Sequence, residues 1–199
     1  MNNSKQHILD TAFKLFLKKT FKEVTMQEIV AATGLSKGGF YHYYESKDQL
    51  FAEVINHFFA NHMDFDYSRF STASLAEFCK DCLSDYDNKL NRISKTGSNV
   101  DVNFYLLIFE AIKILPGFKE KMAEQKANEL KAWKKIINLA KKNGEISSAM
   151  SDEQIAKCFI NINIGITIRF IMNNKSAEAK KEVLYVWKGL YKQLQASSK

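Results

Sequence analysis

Residues 25–51 read TMQEIVAATGLSKGGFYHYYESKDQLF, and this stretch decides the fold. Thr25-Met26-Gln27-Glu28 has the spacing of a capping box, in which a hydroxyl accepts from the backbone N–H three residues on and the carboxylate reaches back. A short helix therefore starts there, and Gly34, free to take positive φ, ends it. Ser36 can cap a third short helix running to about Tyr43. Ser46-Lys47-Asp48-Gln49 repeats the capping signature and opens a longer helix carrying Leu50, Phe51, Val54, Ile55 and Phe58. Two short helices joined by a turn of about three residues containing Gly have the spacing of a helix-turn-helix.

Upstream, Ile8, Leu9, Ala12, Phe13 and Phe16 recur at helical spacing and predict an amphipathic first helix that stops near Thr20. Phe13, Phe16, Ile29, Leu35, Phe40, Tyr44, Leu50 and Phe51 are expected to form the small domain's core. Downstream, polar and small residues break the helical pattern at 64–74, 94–100, 115–117, 143–151 and 173–177. Ser74 to Glu77 is a further capping box, Pro116 suits a first helical position, and Lys141-Lys142-Asn143-Gly144 reads as a helix end. Ser151 and Ser176 start the last two helices. The alternating run Ile160 to Ile168 carries a strand signal, but with no convincing second strand to pair it, it is read as a helix buried on several sides, as a subunit interface would bury it.

Composition bounds the function. A chain of 199 residues, 46% apolar and 26% charged, with one Pro and eight Gly, is no disordered tail and no all-β barrel. No stretch reaches about 18 apolar residues and the N-terminus has no signal-peptide core, so a cytoplasmic protein with no membrane partner is expected. The net charge of +7 suggests a polyanionic partner, yet residues 1–50 carry seven lysines against five acids, only +2. All three arginines, Arg69, Arg92 and Arg169, lie beyond them. Cys79-Lys80-Asp81-Cys82 sits in mid-helix with neither a strand–helix redox context nor a second Cys pair, and packing accounts for it best. Glu53, His57, His62 and Asp64 are a loose set of metal-ligand types better explained by a helix and loop, so neither metal nor cofactor is expected. Phosphate-loop and strand-borne nucleophile motifs are lacking, which argues against an enzyme.

The capped second helix, Gly34, Ser36, Gly38-Gly39, Tyr41, Tyr44, Lys47 and Leu50 together resemble the DNA-binding domain of the TetR family of bacterial transcriptional regulators, across roughly residues 5–60. Val30 and Thr33 depart from the family's usual alanines, and Tyr43 from its frequent His. The resemblance implies an all-α protein with an N-terminal three-helix helix-turn-helix domain (1–46) and a larger helical effector-binding and dimerisation domain (47–199). It implies a homodimer on a palindromic double-stranded DNA operator, usually a repressor, released by a small apolar or aromatic effector. By position, Thr25, Tyr41, Tyr43 and Lys47 would hold phosphates, while Gln27, Lys37, Gly39 and His42 are candidates for reading bases, with Ser36 and Gly38 shaping the third helix. For Lys37 and His42 a phosphate-only contact competes with base reading. A Gly costs roughly 0.5–1 kcal/mol relative to Ala inside a helix, so Gly38-Gly39 suggests close approach of that backbone to DNA, with a merely weak helix as the competing reading.

Some of the second domain's aromatic and sulfur-bearing side chains would line an effector cavity: Phe59, Met63, Phe78, Phe104, Phe109 and Trp133, with Tyr86 or Glu110 as polar anchor. Ordinary core packing is the alternative. Phe159, Ile162, Ile166 and Phe170 would face Val183, Trp187, Leu190, Tyr191 and Leu194 across a two-fold axis. Two rival readings remain: an effector-independent dimeric DNA-binding protein, and a helical enzyme or interaction module with a degenerate N-terminal domain.

Overall fold

A computed structural model describes residues 3–62, 65–95, 102–173 and 175–195. Among them, nine α-helices follow one another: α1 (Asn3–Lys18), α2 (Met26–Thr33), α3 (Lys37–Tyr41), α4 (Lys47–His62), α5 (Leu75–Lys95), α6 (Val102–Ile114), α7 (Phe118–Lys142), α8 (Asp152–Met172) and α9 (Ser176–Leu194). A single 3-10 turn, Tyr67–Arg69, precedes α5. The protein is all-α, with no strand among the described residues.

Most capping signals act as the sequence predicts. Thr25 accepts from Glu28 N at 3.1 Å, Ser36 from Gly39 N at 3.2 Å and Ser46 from Gln49 N at 3.1 Å. Ser151 and Gln154 form the complete reciprocal box. At Thr25 the box is only half closed, because the Glu28 carboxylate turns to Lys19, 2.6 Å away. Pro116 opens no helix; it lies in the turn between α6 and α7, beside Gly117.

The chain divides into two compact units, and not at residue 46. The first comprises Met1–Asp64 with Lys89–Lys119, the second Phe65–Asn88 with Glu120–Lys199. The helix-turn-helix therefore shares its unit with α4 and α6. Its core holds Phe13, Phe16, Ile29, Phe40, Tyr44, Leu50 and Phe51 as expected, with Leu35 half-buried. Phe58 stacks on Phe13 and lies 5.5 Å from Phe104 of α6.

In the second unit, Trp133 is the centre. It stacks on Phe159 at 5.0 Å and meets Phe78 and Trp187 edge-on at 4.9 and 5.3 Å. The buried Trp187 indole N–H donates to the Phe159 carbonyl at 3.0 Å, so that polar atom of the aromatic stack is satisfied. The alternating isoleucines are helical. By length and composition α8 could cross a membrane, a possibility the count of consecutive apolar residues had set aside. Its inner face packs Ile155, Ala156, Phe159 and Ile171 into the core.

The start of α5 and the end of α9 meet around the turn that follows α7. Gly144 takes φ 73°, as few other residues could, and reverses the chain after α7. That turn presents Glu145, whose carboxylate accepts from Leu75 N (2.9 Å), Ala76 N (3.2 Å) and the Tyr191 hydroxyl (2.8 Å). Ile146 is buried beside it, and Ser147 N donates to Leu194 O at 2.7 Å.

Candidate functional site

In the first unit, α2 ends at Gly34 with φ 67°, its N–H returning to Ala31 O. The buried Thr33 has a clear local role: its hydroxyl donates to Val30 O at 2.8 Å, while its carbonyl oxygen meets a ring nitrogen of His7 at 3.0 Å. The chain turns through Ser36 into α3, where Phe40 is fully buried and Tyr44 follows it into the core. With those two anchored, Lys37, Gly38, Gly39 and His42 stand exposed on the other side, and Tyr41 and Tyr43 are half-buried at its edge. Exposed Gln27 and Thr25 begin the neighbouring helix.

The two glycines have different local reasons. A Cβ at Gly39 would lie 3.1 Å from the Ser36 hydroxyl that caps the helix. At Gly38 a Cβ would meet nothing within 4 Å, so no packing inside the chain requires a glycine there.

Lys47 departs from its expected place at a phosphate. Its ammonium donates to the carbonyls of Phe21 and Val24, each at 2.7 Å, and sits 4.4 Å from the Phe21 ring centroid. Two of its three N–H groups are engaged inside the domain, bracing the turn between α1 and α2. Glu110, expected as an effector anchor, braces the same turn by accepting from Phe21 N at 3.0 Å. Spacing alone could not pair residues 89 positions apart.

The expected cavity residues do not gather in one place. Phe59 and Phe104 are buried in the first unit's core. Phe109 is 62% exposed and, with Glu110, lines an open groove of about 290 Å³ beside the end of α1. Phe78 packs in the second unit's core, where Tyr86 and Trp133 line a space of only about 20 Å³ with Tyr67, Glu129 and Asn163. Met63 lies outside the described residues. Burial pushes the Tyr67 hydroxyl's pKa up strongly, with Glu129 adding to it, and so keeps it a neutral donor.

The expected interface set also splits. Phe159, Val183, Trp187 and Leu194 are buried within the chain's own core and are unavailable to a second chain. Ile162, Ile166, Phe170, Leu190 and Tyr191 are half-buried. On α8 and α9 the large apolar side chains left in solvent, among the described residues, are instead Ile164, Ile168, Met172 and Tyr185.

Of the loose metal-ligand set, Asp64 and the His62 side chain lie outside the described residues. Among the described residues no cluster of three or more His, Cys, Asp or Glu could hold a metal; Glu53 pairs with Lys5 at 2.5 Å and His57 with Gln6 at 3.1 Å. Burial pushes the Cys79 thiol up to about 12 and Cys82 well above its usual value, so both stay protonated.

Residues 8–54 match the family described as bacterial regulatory proteins, tetR family. The chain therefore carries a TetR-family domain over that segment. Its TetR-family domain is 38% identical over 64 residues to the uncharacterized HTH-type transcriptional regulator YerO of Bacillus subtilis strain 168, covering 32% of this chain and 22% of that protein. To the regulator QacR of Staphylococcus aureus it is 39% identical over 54 residues, 27% of this chain and 29% of QacR. The transcriptional repressor DhaR of Mycobacterium sp. strain GP1 is 32% identical over 57 residues, 29% of either chain. The match thus spans between a fifth and a third of these relatives, each named as a regulator or repressor.

Over the whole length, only the fold is shared. A TetR regulator from Haloarcula marismortui aligns with TM-score 0.70 at 16% identity, covering 98% of this chain and all of that one. NalD, the secondary repressor of the MexAB-OprM multidrug efflux pump in Pseudomonas aeruginosa, aligns with TM-score 0.65 at 14% identity, covering 98% and 97%.

Proposed function

We propose that this protein is a cytoplasmic, homodimeric transcriptional repressor that binds a palindromic operator and is released by a small apolar or aromatic effector. The observation that carries the reading is the division of α3: Phe40 and Tyr44 hold it from within, leaving Lys37, Gly38, Gly39 and His42 clear of the chain. A helix so presented fits a major groove about 12 Å wide, and the side-chain-free Gly38 lets its backbone come close. Gln27, Lys37 and His42 are the base-reading candidates, and Thr25, Tyr41 and Tyr43 contact phosphates. Lys47 contributes at most its remaining N–H.

With no arginine before Arg69, the commonest bidentate guanine contact cannot come from this domain, so half-site spacing and DNA shape carry much of the specificity. A second copy is supported by the exposed Ile164, Ile168 and Met172, spaced at successive turns on α8, with Tyr185 of α9.

The test is binding of the full chain to DNA upstream of its own gene and to randomised palindromes, at several salt concentrations. Salt-dependent, sequence-selective binding by a dimer is expected; salt-insensitive or absent binding overturns the reading. The near-solid packing around Trp133 favours one alternative, an effector-independent dimer, which predicts that no small molecule alters operator affinity.

A further inference from the structure

The second unit carries an apolar trough that none of the preceding reading uses. It runs between the first half of α5 and α9 and encloses about 580 Å³, within the roughly 300–1,000 Å³ that holds drug-sized ligands. Buried Leu83 and Trp187 make its floor, half-buried Cys79 and Leu184 its walls. Because the Cys79 thiol stays protonated, it is an apolar wall and no nucleophile.

Charge on the rim is one-sided. Lys80, Lys180 and Lys188 line the trough against a single carboxylate, Glu77. Lys180 is held by Asp87, and Lys80 reaches Glu77 at 3.2 Å, whereas Lys188 has no acidic partner among the described residues. The contacts at the two ends, Tyr191 with Glu145 beside the start of α5 and Lys180 with Asp87 further along it, set α9 antiparallel to α5. Lys188 therefore lies toward the end where Lys80 stands, and positive charge collects there. On α9 the trough residues Lys180, Leu184, Lys188 and Tyr191 form one stripe, separate from the exposed Tyr185.

We propose that this trough binds an amphipathic anion, its apolar body lying on Leu83, Leu184 and Trp187 and its carboxylate or sulfate head meeting Lys188 and Lys80. Charge complementarity selects the occupant: a neutral apolar molecule leaves Lys188 unpaired, and a cation meets three like charges.

The proposal rests on reading the second unit as the part that takes a small molecule, but its test needs no DNA. Dodecanoate, below its micelle-forming concentration, is titrated into the full chain while tryptophan emission is followed, since Trp187 lines the trough. Saturable binding is expected, at least tenfold tighter than for dodecyltrimethylammonium. Lys80→Glu with Lys188→Glu should weaken it at least tenfold, whereas Lys131→Glu with Lys135→Glu, an equal charge change at exposed positions of α7, should leave it unchanged. Equal affinity for the cation, equal loss in both double variants, or no saturation up to millimolar dodecanoate overturns the proposal. A chain that binds dodecanoate but no operator sinks the regulator reading and leaves the trough standing; the converse sinks only the trough.

Discussion

Replacing Glu145 by alanine deprives the first two N–H groups of α5, at Leu75 and Ala76, and the Tyr191 hydroxyl of their shared acceptor. Loss of a helix cap costs about 0.5–2 kcal/mol, and a part-buried hydroxyl left without its bond adds about 1 kcal/mol. The expected loss is therefore about 1.5–3 kcal/mol, which for a chain of this size corresponds to roughly 3–12 °C in melting temperature. Both tryptophans of the chain, Trp133 and Trp187, lie in the second unit, so their emission reports its unfolding without interference from the first. Glu77→Ala is the discriminating control. Glu77 occupies the cap-box position of α5, but its carboxylate meets only exposed Lys80, so its loss should cost no more than about 0.5 kcal/mol. If Glu145→Ala melts within error of the parent, or Glu77→Ala costs more, the assignment of Glu145 as the cap of α5 is wrong.

Gly38→Ala should raise stability by about 0.5–1 kcal/mol, because its Cβ meets nothing, while weakening operator binding; improved stability with unchanged affinity would refute close backbone approach. Lys47→Met should lower thermal stability and leave the salt dependence of DNA binding almost unchanged, since the ammonium braces Phe21 and Val24; a slope reduced by about one would return it to a phosphate. Asp152 is held below its usual carboxylate range by bonds from Asn138 and Lys141, so its contribution is present above the unfolded pKa and fades as pH falls through the lower folded value. Asp152→Asn should accordingly flatten the acid limb of a stability–pH profile, and an unaltered limb would count against it. Ile168→Asp with Tyr185→Glu should yield a folded monomer in sedimentation, whereas a persisting dimer would move the interface elsewhere.

Local signals were legible where a residue acts on its own neighbours. Thr25, Ser36, Ser46 and Ser151 cap the helices their spacing announces, and Gly34 and Gly144 take the positive φ that ends them. The isoleucines of α8 are helical despite their strand-like alternation, since a helix satisfies its own backbone and a lone strand does not. What could not be read are partners distant in the chain. Glu145 and Glu110 are unremarkable acids in sequence, yet each accepts backbone N–H groups some 70 to 90 positions away. The same blindness misplaced Phe159 and Trp187: an apolar helix face does not announce whether its own chain or a second one will cover it.

The turn at Phe21 is gripped through both of its backbone polar groups, the N–H by Glu110 of α6 and the carbonyl by Lys47 of α4. For protein engineering this sets where the molecule can be cut. A fragment ending at residue 46 would carry the whole helix-turn-helix yet lose both braces and the Phe58–Phe104 wall, so it should make a poor portable DNA-binding module. A working graft must bring α4 and α6 with it.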